Sequence, residues 1–196
     1  VLQSVIKATV NYESEIIVID DGSTDNTGDL LADYNITYVK LDKPSGGPAY
    51  PRNFGASIAK GEYLCFLDSD DFWKENKLIE VDRIVSQYDV DFLYHSFEGH
   101  HARSLSFMQI LYRNEIVTSS VVIRRSVFEE MDGFNISPDL KSVEDYDLWI
   151  RIFQRDVLHI MHISQSLGYY SMSLDRISDN AALRRVNCKA LWKTHV

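Results

Sequence analysis

The stretch YLCFLDSDDFW, residues 63–73, runs five apolar residues straight into a cluster of like charges, Asp68, Asp70 and Asp71. Tyr63 to Leu67 reads as a buried strand, and the carboxylates sit in the turn that follows it. Like charges this close repel one another, so the turn needs a cation to offset them. In open α/β sheets, ligands bind outside the carboxyl ends of the strands. A strand that ends in oxygen ligands therefore points to an α/β fold with a site at its end.

The flanking sequence has the same rhythm. Residues 15–19, EIIVI, form a second apolar, β-branched run, and it too ends in carboxylates, Asp20 and Asp21. Ser23 or Thr24 is placed to cap the helix that follows, with Asp25 in its first turn. A strand is predicted over 36–41, a loop over KPSGGP (43–48), a helix over 51–60, a helix over 75–87 and a strand over 91–94. This alternation of strands and helices with short connections predicts a largely parallel sheet. Both acidic turns are then expected at strand ends of one sheet, facing one cleft. The second half is less regular. Helices are expected over 104–112, 125–131 and 142–153, strands over 119–123, 158–163 and 167–170, and a helical tail over 180–192. EGHHAR (98–103) reads as a link between the halves.

Composition narrows the function. The 196 residues are 45% hydrophobic, enough for a sizeable core. Twenty Lys and Arg against 29 Asp and Glu give a net charge of −9. Such a surface lacks the phosphate-neutralising charge on which nucleic-acid affinity rests, so nucleic acid is not an expected partner. Two cysteines, Cys65 and Cys188, make no disulfide framework and fit a reducing compartment. No apolar run reaches the roughly 18 residues that span a bilayer. The expected setting is cytoplasmic, compatible with a peripheral contact at the inner face of a membrane.

Asp20-Asp21, Asp68-Ser69-Asp70-Asp71 and Glu144-Asp145 are the three acidic clusters. Alternate carboxylates in one turn suit a hard divalent cation, Mg²⁺ or Mn²⁺, which binds through one or two carboxylates plus substrate phosphates. Such a metal would let an acidic site hold an anionic diphosphate. Each cluster alone also suits a solvated turn, and Glu144-Asp145 alone suits the acidic start of a helix. Trp73, beside the turn, is open between a core residue and a stacking face for sugar, whereas Trp149 at helical spacing with Ile152 reads as core. His100 and His101 read as a solvated loop, and Arg124-Arg125 as a surface pair or an attractor of anions.

In order along the chain, EIIVIDDGSTDNT (15–27), GGPAYPRNFGASIAKGEYLCFLDSDDFW (46–73), SSVVIRRSVFEEMDGFN (119–135) and VEDYDLWIRI (143–152) resemble the inverting family 2 nucleotide-sugar glycosyltransferases. The resemblance implies the GT-A fold: Rossmann-like, with a mostly parallel mixed sheet flanked by helices in a single domain. About 1–97 would be the nucleotide-sugar-binding half, and about 98–196 the acceptor half with the catalytic base. Asp21, with Asp20 beside it, would contact the nucleotide base. Asp68-Ser69-Asp70 would be the D-x-D, with Asp68 toward ribose or metal and Asp70 on the metal. Asp71, Glu144 and Trp73 would support the site. Asp145 would be the general base, and Arg52 and Asn53 would brace the nucleotide cleft.

The activity implied is metal-dependent, inverting transfer of a hexose from a nucleotide-diphosphate sugar, UDP-sugar first, to a hydroxyl of a glycan or lipid-linked glycan. The rival readings are a non-catalytic nucleotide-sugar-binding module and a D-x-D phosphatase. The phosphatase pattern fits poorly, because Asp71-Phe72 follows its second Asp and a whole strand–helix unit precedes it. Family members open on a strand and a nucleotide-lining turn ahead of a helix. The sequence given starts within such a helix, VLQSVIKATV, so that strand is expected to have been truncated or omitted. Ser171 and Ser173 stand where many relatives carry Arg and His, which weakens the expectation of a cationic diphosphate contact there. Without a bound cation, the acidic turn is expected to be loose or its carboxylates splayed.

Overall fold

The computed structural model describes residues 1–170. The helical tail over 180–192, together with Ser171, Ser173, Cys188 and Trp192, lies outside the described residues.

The chain opens with α1 (Leu2–Thr9), β1 (Ile17–Asp20), α2 (Thr27–Leu31), β2 (Thr37–Lys40) and α3 (Ala49–Ile58). It continues with β3 (Tyr63–Cys65), β4 (Asp71–Trp73), α4 (Lys77–Val85) and β5 (Phe92–Phe97). The second half holds α5 (Phe107–Tyr112), β6 (Val122–Arg124), α6 (Arg125–Glu130), α7 (Glu144–Phe153) and β7 (Ile160–Tyr170). No helix among the described residues is long and apolar enough to cross a membrane.

The strands form two sheets where one was expected. β1 and β2 pair in parallel as a two-stranded sheet. The other five lie in the order β3-β6-β5-β7-β4. β5 and β7 pair in parallel, and the β3–β6, β5–β6 and β4–β7 pairs are antiparallel. β3, β5 and β7 therefore run one way, as the strand–helix alternation predicts, while β6 and β4 run against them. Alternation reports the direction of strands joined by a helix. It cannot reveal that β6, from the second half, enters between β3 and β5. The two acidic turns thus end strands of different sheets. The two-stranded sheet is seated on α3, where Gly55 lies so close that an added Cβ would meet Ile19 at 3.3 Å.

The two strands expected over 158–163 and 167–170 are one long β7. β4 is an additional short strand, held by β7 through Phe72 stacked on Tyr169 at 5.1 Å. The segment 98–103 is not a plain link. Its backbone bridges Phe97 to His100, and His100 Nε2 lies 2.8 Å from the Glu115 carbonyl.

The main core lies between the larger sheet and α7. Trp149 is fully buried, 5.1 Å from the ring of Phe92 and 6.0 Å from that of Phe134, so its helical spacing correctly marks core. Burial of such aromatics supplies most of the packing energy, about 3–5 kcal/mol for each if truncated to Ala. α7 also carries a buried acid, Asp147, paired with Arg151 at 2.7 Å. Arg151 in turn donates to the carbonyls of Met131 and Gly133. This pins the turn after α6, in which Gly133 takes the left-handed φ of +63° that glycine tolerates.

Candidate active site

The acidic turn is well formed. The Asp71 N–H donates to the Asp68 carbonyl at 3.0 Å, closing a β-turn with Ser69 and Asp70 at its centre. Asp71, 4% exposed, begins β4. A protein cation already meets one of the turn's carboxylates. Arg52 on α3 donates through Nη2 to Asp68. Through Nη1 it donates to Glu144 at 3.0 Å.

Arg52 is placed there by its neighbour. Asn53 accepts from the Phe134 N–H at 2.9 Å and donates to the Phe134 carbonyl at 2.7 Å, fixing α3 to the turn after α6. The Arg52 guanidinium also lies 5.3 Å from the Phe134 ring. Its side chain is only 13% exposed, that of Glu144 6% and that of Asp68 37%. Two of the three acidic clusters thus converge on one buried guanidinium.

Glu144 and Asp145 start α7, where the helix dipole favours negative charge. Asp145 accepts from the Thr118 hydroxyl at 3.0 Å and from the Tyr146 N–H at 2.6 Å. Burial holds its carboxyl above the ordinary carboxylate range, against the opposing pull of Arg52 and the Thr118 bond. Burial, then the charge of Asp145, also raises Glu144, again against Arg52. Glu144 Oε2 is buried and has no hydrogen-bond partner among the described residues.

The first acidic cluster does not share these partners. Asp20 accepts from the Tyr38 hydroxyl at 2.6 Å and the Ser23 N–H at 2.7 Å. Burial alone would raise its pKa, but these bonds outweigh burial and hold it below the ordinary value. Asp21 accepts from the Ser45 N–H and hydroxyl at 2.7 and 2.9 Å. The turn therefore rests on the 43–48 loop, with Gly22 packed on Pro44. At its far end that loop reaches α7's approach, since a Cβ on Gly47 would touch the Lys141 side chain at 3.7 Å. The helix after Asp21 starts later than expected. Asn26 is at the N-cap, and Asp25 accepts from the Thr27 N–H instead of Ser23 or Thr24 capping.

Trp73 supports the turn from inside and offers no open face to a sugar. It is 6% exposed, donates through Nε1 to the Ser119 carbonyl at 2.8 Å, and carries the Lys77 ammonium 3.6 Å from its ring centre. Arg124 is no anion attractor either. Glu62, Asp89 and Asp91 hold it at 2.5, 2.5 and 3.2 Å.

Sequence patterns gave no sign of Thr118, Ser119 or Lys77, all buried. Thr118 and Ser119 lie in a 3₁₀ turn, Thr118–Ser120, that takes up the start of the strand expected over 119–123. The one available hint was the run of three hydroxyls, Thr118 to Ser120, ahead of an apolar run.

Around the D-x-D turn the donor set consists of carboxylate oxygens, which fits a hard divalent cation such as Mn²⁺ or Mg²⁺. Among the described residues no group of three or more His, Cys, Asp or Glu side chains is gathered as a metal cage. The set suits an open site that shares its ion with substrate oxygens.

Residues 1–131 match the family described as Glycosyl transferase family 2. The chain belongs to that family. This family 2 chain resembles an uncharacterized glycosyltransferase of Rickettsia bellii, at 31% identity over 80% of this chain and 24% of the relative. It also resembles Escherichia coli WfgD, named a UDP-Glc:alpha-D-GlcNAc-diphosphoundecaprenol beta-1,3-glucosyltransferase, at 27% identity over 91% of this chain and 73% of the relative. The crystal structure of S. aureus TarS 1-349 in complex with UDP-GlcNAc superposes with a TM-score of 0.76 at 23% identity, covering 92% of this chain and 56% of that one. The chain thus spans about a quarter of the Rickettsia relative and about half of the solved TarS chain. The α/β GT-A class read from the sequence holds for this chain.

Proposed function

We propose that this family 2 chain transfers a hexose, with inversion, from a UDP-sugar to a hydroxyl of a glycan or lipid-linked glycan. The observation that carries the reading is Arg52, which ties the D-x-D turn at Asp68 to the start of α7 at Glu144. Donor-binding and base elements are thereby held in one frame. The names of WfgD and TarS, with UDP-Glc and UDP-GlcNAc, support the choice of UDP.

In this reading Asp70 and Asp68 hold Mn²⁺ or Mg²⁺, which when bound neutralises charge on the departing diphosphate. Asp21, Asp20 and Ser69 line the nucleotide side, and Arg52 braces it. Asp71 and Glu144 support the two acidic elements. Asp145 is the general base. Burial raises its pKa, which makes its ionised form a stronger proton acceptor than an ordinary carboxylate. It takes the proton of the acceptor hydroxyl as that oxygen bonds to the anomeric carbon. The bond from that carbon to the diphosphate oxygen breaks, and UDP leaves with the electron pair. Attack opposite the leaving group inverts the centre with no covalent enzyme intermediate.

The test is incubation with a panel of nucleotide sugars and Mn²⁺, following nucleoside diphosphate release. UDP release that stops in Asp70→Ala and Asp145→Asn supports the transferase. Donor binding without turnover, unchanged in Asp145→Asn, indicates the non-catalytic module instead.

A further inference from the structure

Lys77 is the first residue of α4 and is completely buried. Lysine is almost never fully buried unless paired. Yet no carboxylate among the described residues forms a salt bridge with it. Its ammonium has two neutral partners. It lies 3.6 Å from the centre of the Trp73 ring and donates to the Ser119 carbonyl at 3.2 Å. The titratable groups facing it are Cys65 on β3 and His95 on β5. His95 Nδ1 is 2.8 Å from the Ser96 carbonyl and therefore carries the ring proton. Its Nε2 is buried without a partner among the described residues.

Ser119 is where this buried cation meets the site. Its carbonyl accepts from both Lys77 and Trp73, while its hydroxyl accepts from the Asp68 N–H at 3.0 Å. The chain of contacts runs from α4 through Ser119 to the backbone of the first D-x-D carboxylate. We propose that Lys77 is a positioning residue for the donor-binding turn: with Trp73 it fixes Ser119, and Ser119 fixes the backbone that presents Asp68 and Asp70. A slot needed only for packing would hold methionine with less desolvation cost. A buried charge persists where its directed bonds set a geometry that an apolar side chain leaves loose.

The proposal rests on the reading of Asp68 and Asp70 as donor ligands, so its test has one readout that does not depend on that reading. Lys77→Met, Ser119→Ala and the double variant of the whole chain are compared with wild type. UDP affinity is measured by calorimetry with Mn²⁺ present, and amide hydrogen exchange is followed over residues 66–71. The single variants are expected to stay folded, to bind UDP about tenfold more weakly, as losses of outer-shell partners do, and to exchange faster at the Asp68 amide. The double variant is expected to be no weaker than the weaker single, because both act through one contact chain. Wild-type exchange in a folded Lys77→Met overturns the proposal. If Lys77→Met does not fold, wild-type exchange and UDP affinity in Ser119→Ala overturn it. If wild type itself binds no UDP, the donor reading fails, and the exchange result still decides the role of Lys77.

Discussion

Arg52 Nη1 lies 3.0 Å from Glu144, although the two residues are 92 positions apart in sequence. The same guanidinium meets Asp68, so one buried fork closes the site from both sides. A planar guanidinium can serve two carboxylates in this way, and a lysine ammonium has no matching fork. Arg52→Ala leaves Glu144 as a buried charge without its partner. The expected cost is about 3 kcal/mol of unfolding free energy. Arg52→Ala combined with Glu144→Gln is expected to recover part of that loss. Urea denaturation of the two variants measures both, and equal midpoints for wild type and Arg52→Ala would show the fork to be dispensable.

Asp145 is anchored by Thr118 and the Tyr146 amide, so replacing it with Asn keeps its shape and removes its basicity. Turnover in Asp145→Asn is expected to fall about 10²–10⁴-fold with little change in melting temperature. The pH dependence has a definite sign. In the proposed role of general base its active form is the ionised carboxylate, and burial raises the folded-state pKa above 3.8. Activity is therefore present above that raised pKa and lost as pH falls through it. The acid limb of kcat/KM in wild type is expected at higher pH than for an exposed aspartate. Thr118→Val removes a bond to the ionised form and is expected to push the limb higher still.

Asp70 sits at the centre of a closed turn whose hydrogen bond runs between backbone groups of Asp68 and Asp71. Asp70→Ala therefore leaves that turn bond in place while removing the carboxylate proposed above to hold the metal. Loss of Mn²⁺-dependent UDP binding with a melting temperature near wild type is the expected result. A chelator is expected to abolish turnover and added Mn²⁺ to restore it. Unchanged activity in a chelator would remove the metal from the reading.

The acidic turns were legible because each is contiguous: an apolar run, then carboxylates, read directly as a strand and its end. Trp149 was legible for the same reason, since helical spacing marks its buried face. What ties the D-x-D turn to the start of α7 was legible only in part. The resemblance picked out Arg52, but not its two partners, Asp68 and Glu144, which only the fold brings to it. The pairing of Asn53 with Phe134 depends likewise on a turn 81 residues away. Nothing local signals that β1 and β2 form a sheet of their own, or that β6 enters between β3 and β5 in the larger one. Lys77 falls in the first turn of the helix expected over 75–87, beside Lys74, Glu75 and Asn76, and nothing in that pattern marks it as buried. Only the packing of Trp73 and Ser119 around it reveals a buried cation.

That burial gives Lys77 a stability signature of its own. Burial lowers its pKa from 10.5 to about 8 in the folded protein. Below about pH 8 both folded and unfolded chains carry the proton, and the folded chain bears the full cost of burying it. Between about 8 and 10.5 the unfolded chain holds more protons than the folded one, so stability attributable to this group rises with pH. A shift of this size corresponds to about 3 kcal/mol, offset in part by the contacts the ammonium makes with Trp73 and Ser119. Lys77→Met is thus expected to be more stable than wild type at pH 7, by up to about 3 kcal/mol. The gap should narrow by pH 10, as wild-type Lys77 sheds its proton on folding. Urea unfolding of both proteins at the two pH values measures the difference. The same variant is expected to bind donor less well, so gain in stability and loss of affinity should appear together in one substitution. A Lys77→Met protein less stable than wild type at both pH values would mean that the contacts of the ammonium outweigh its desolvation.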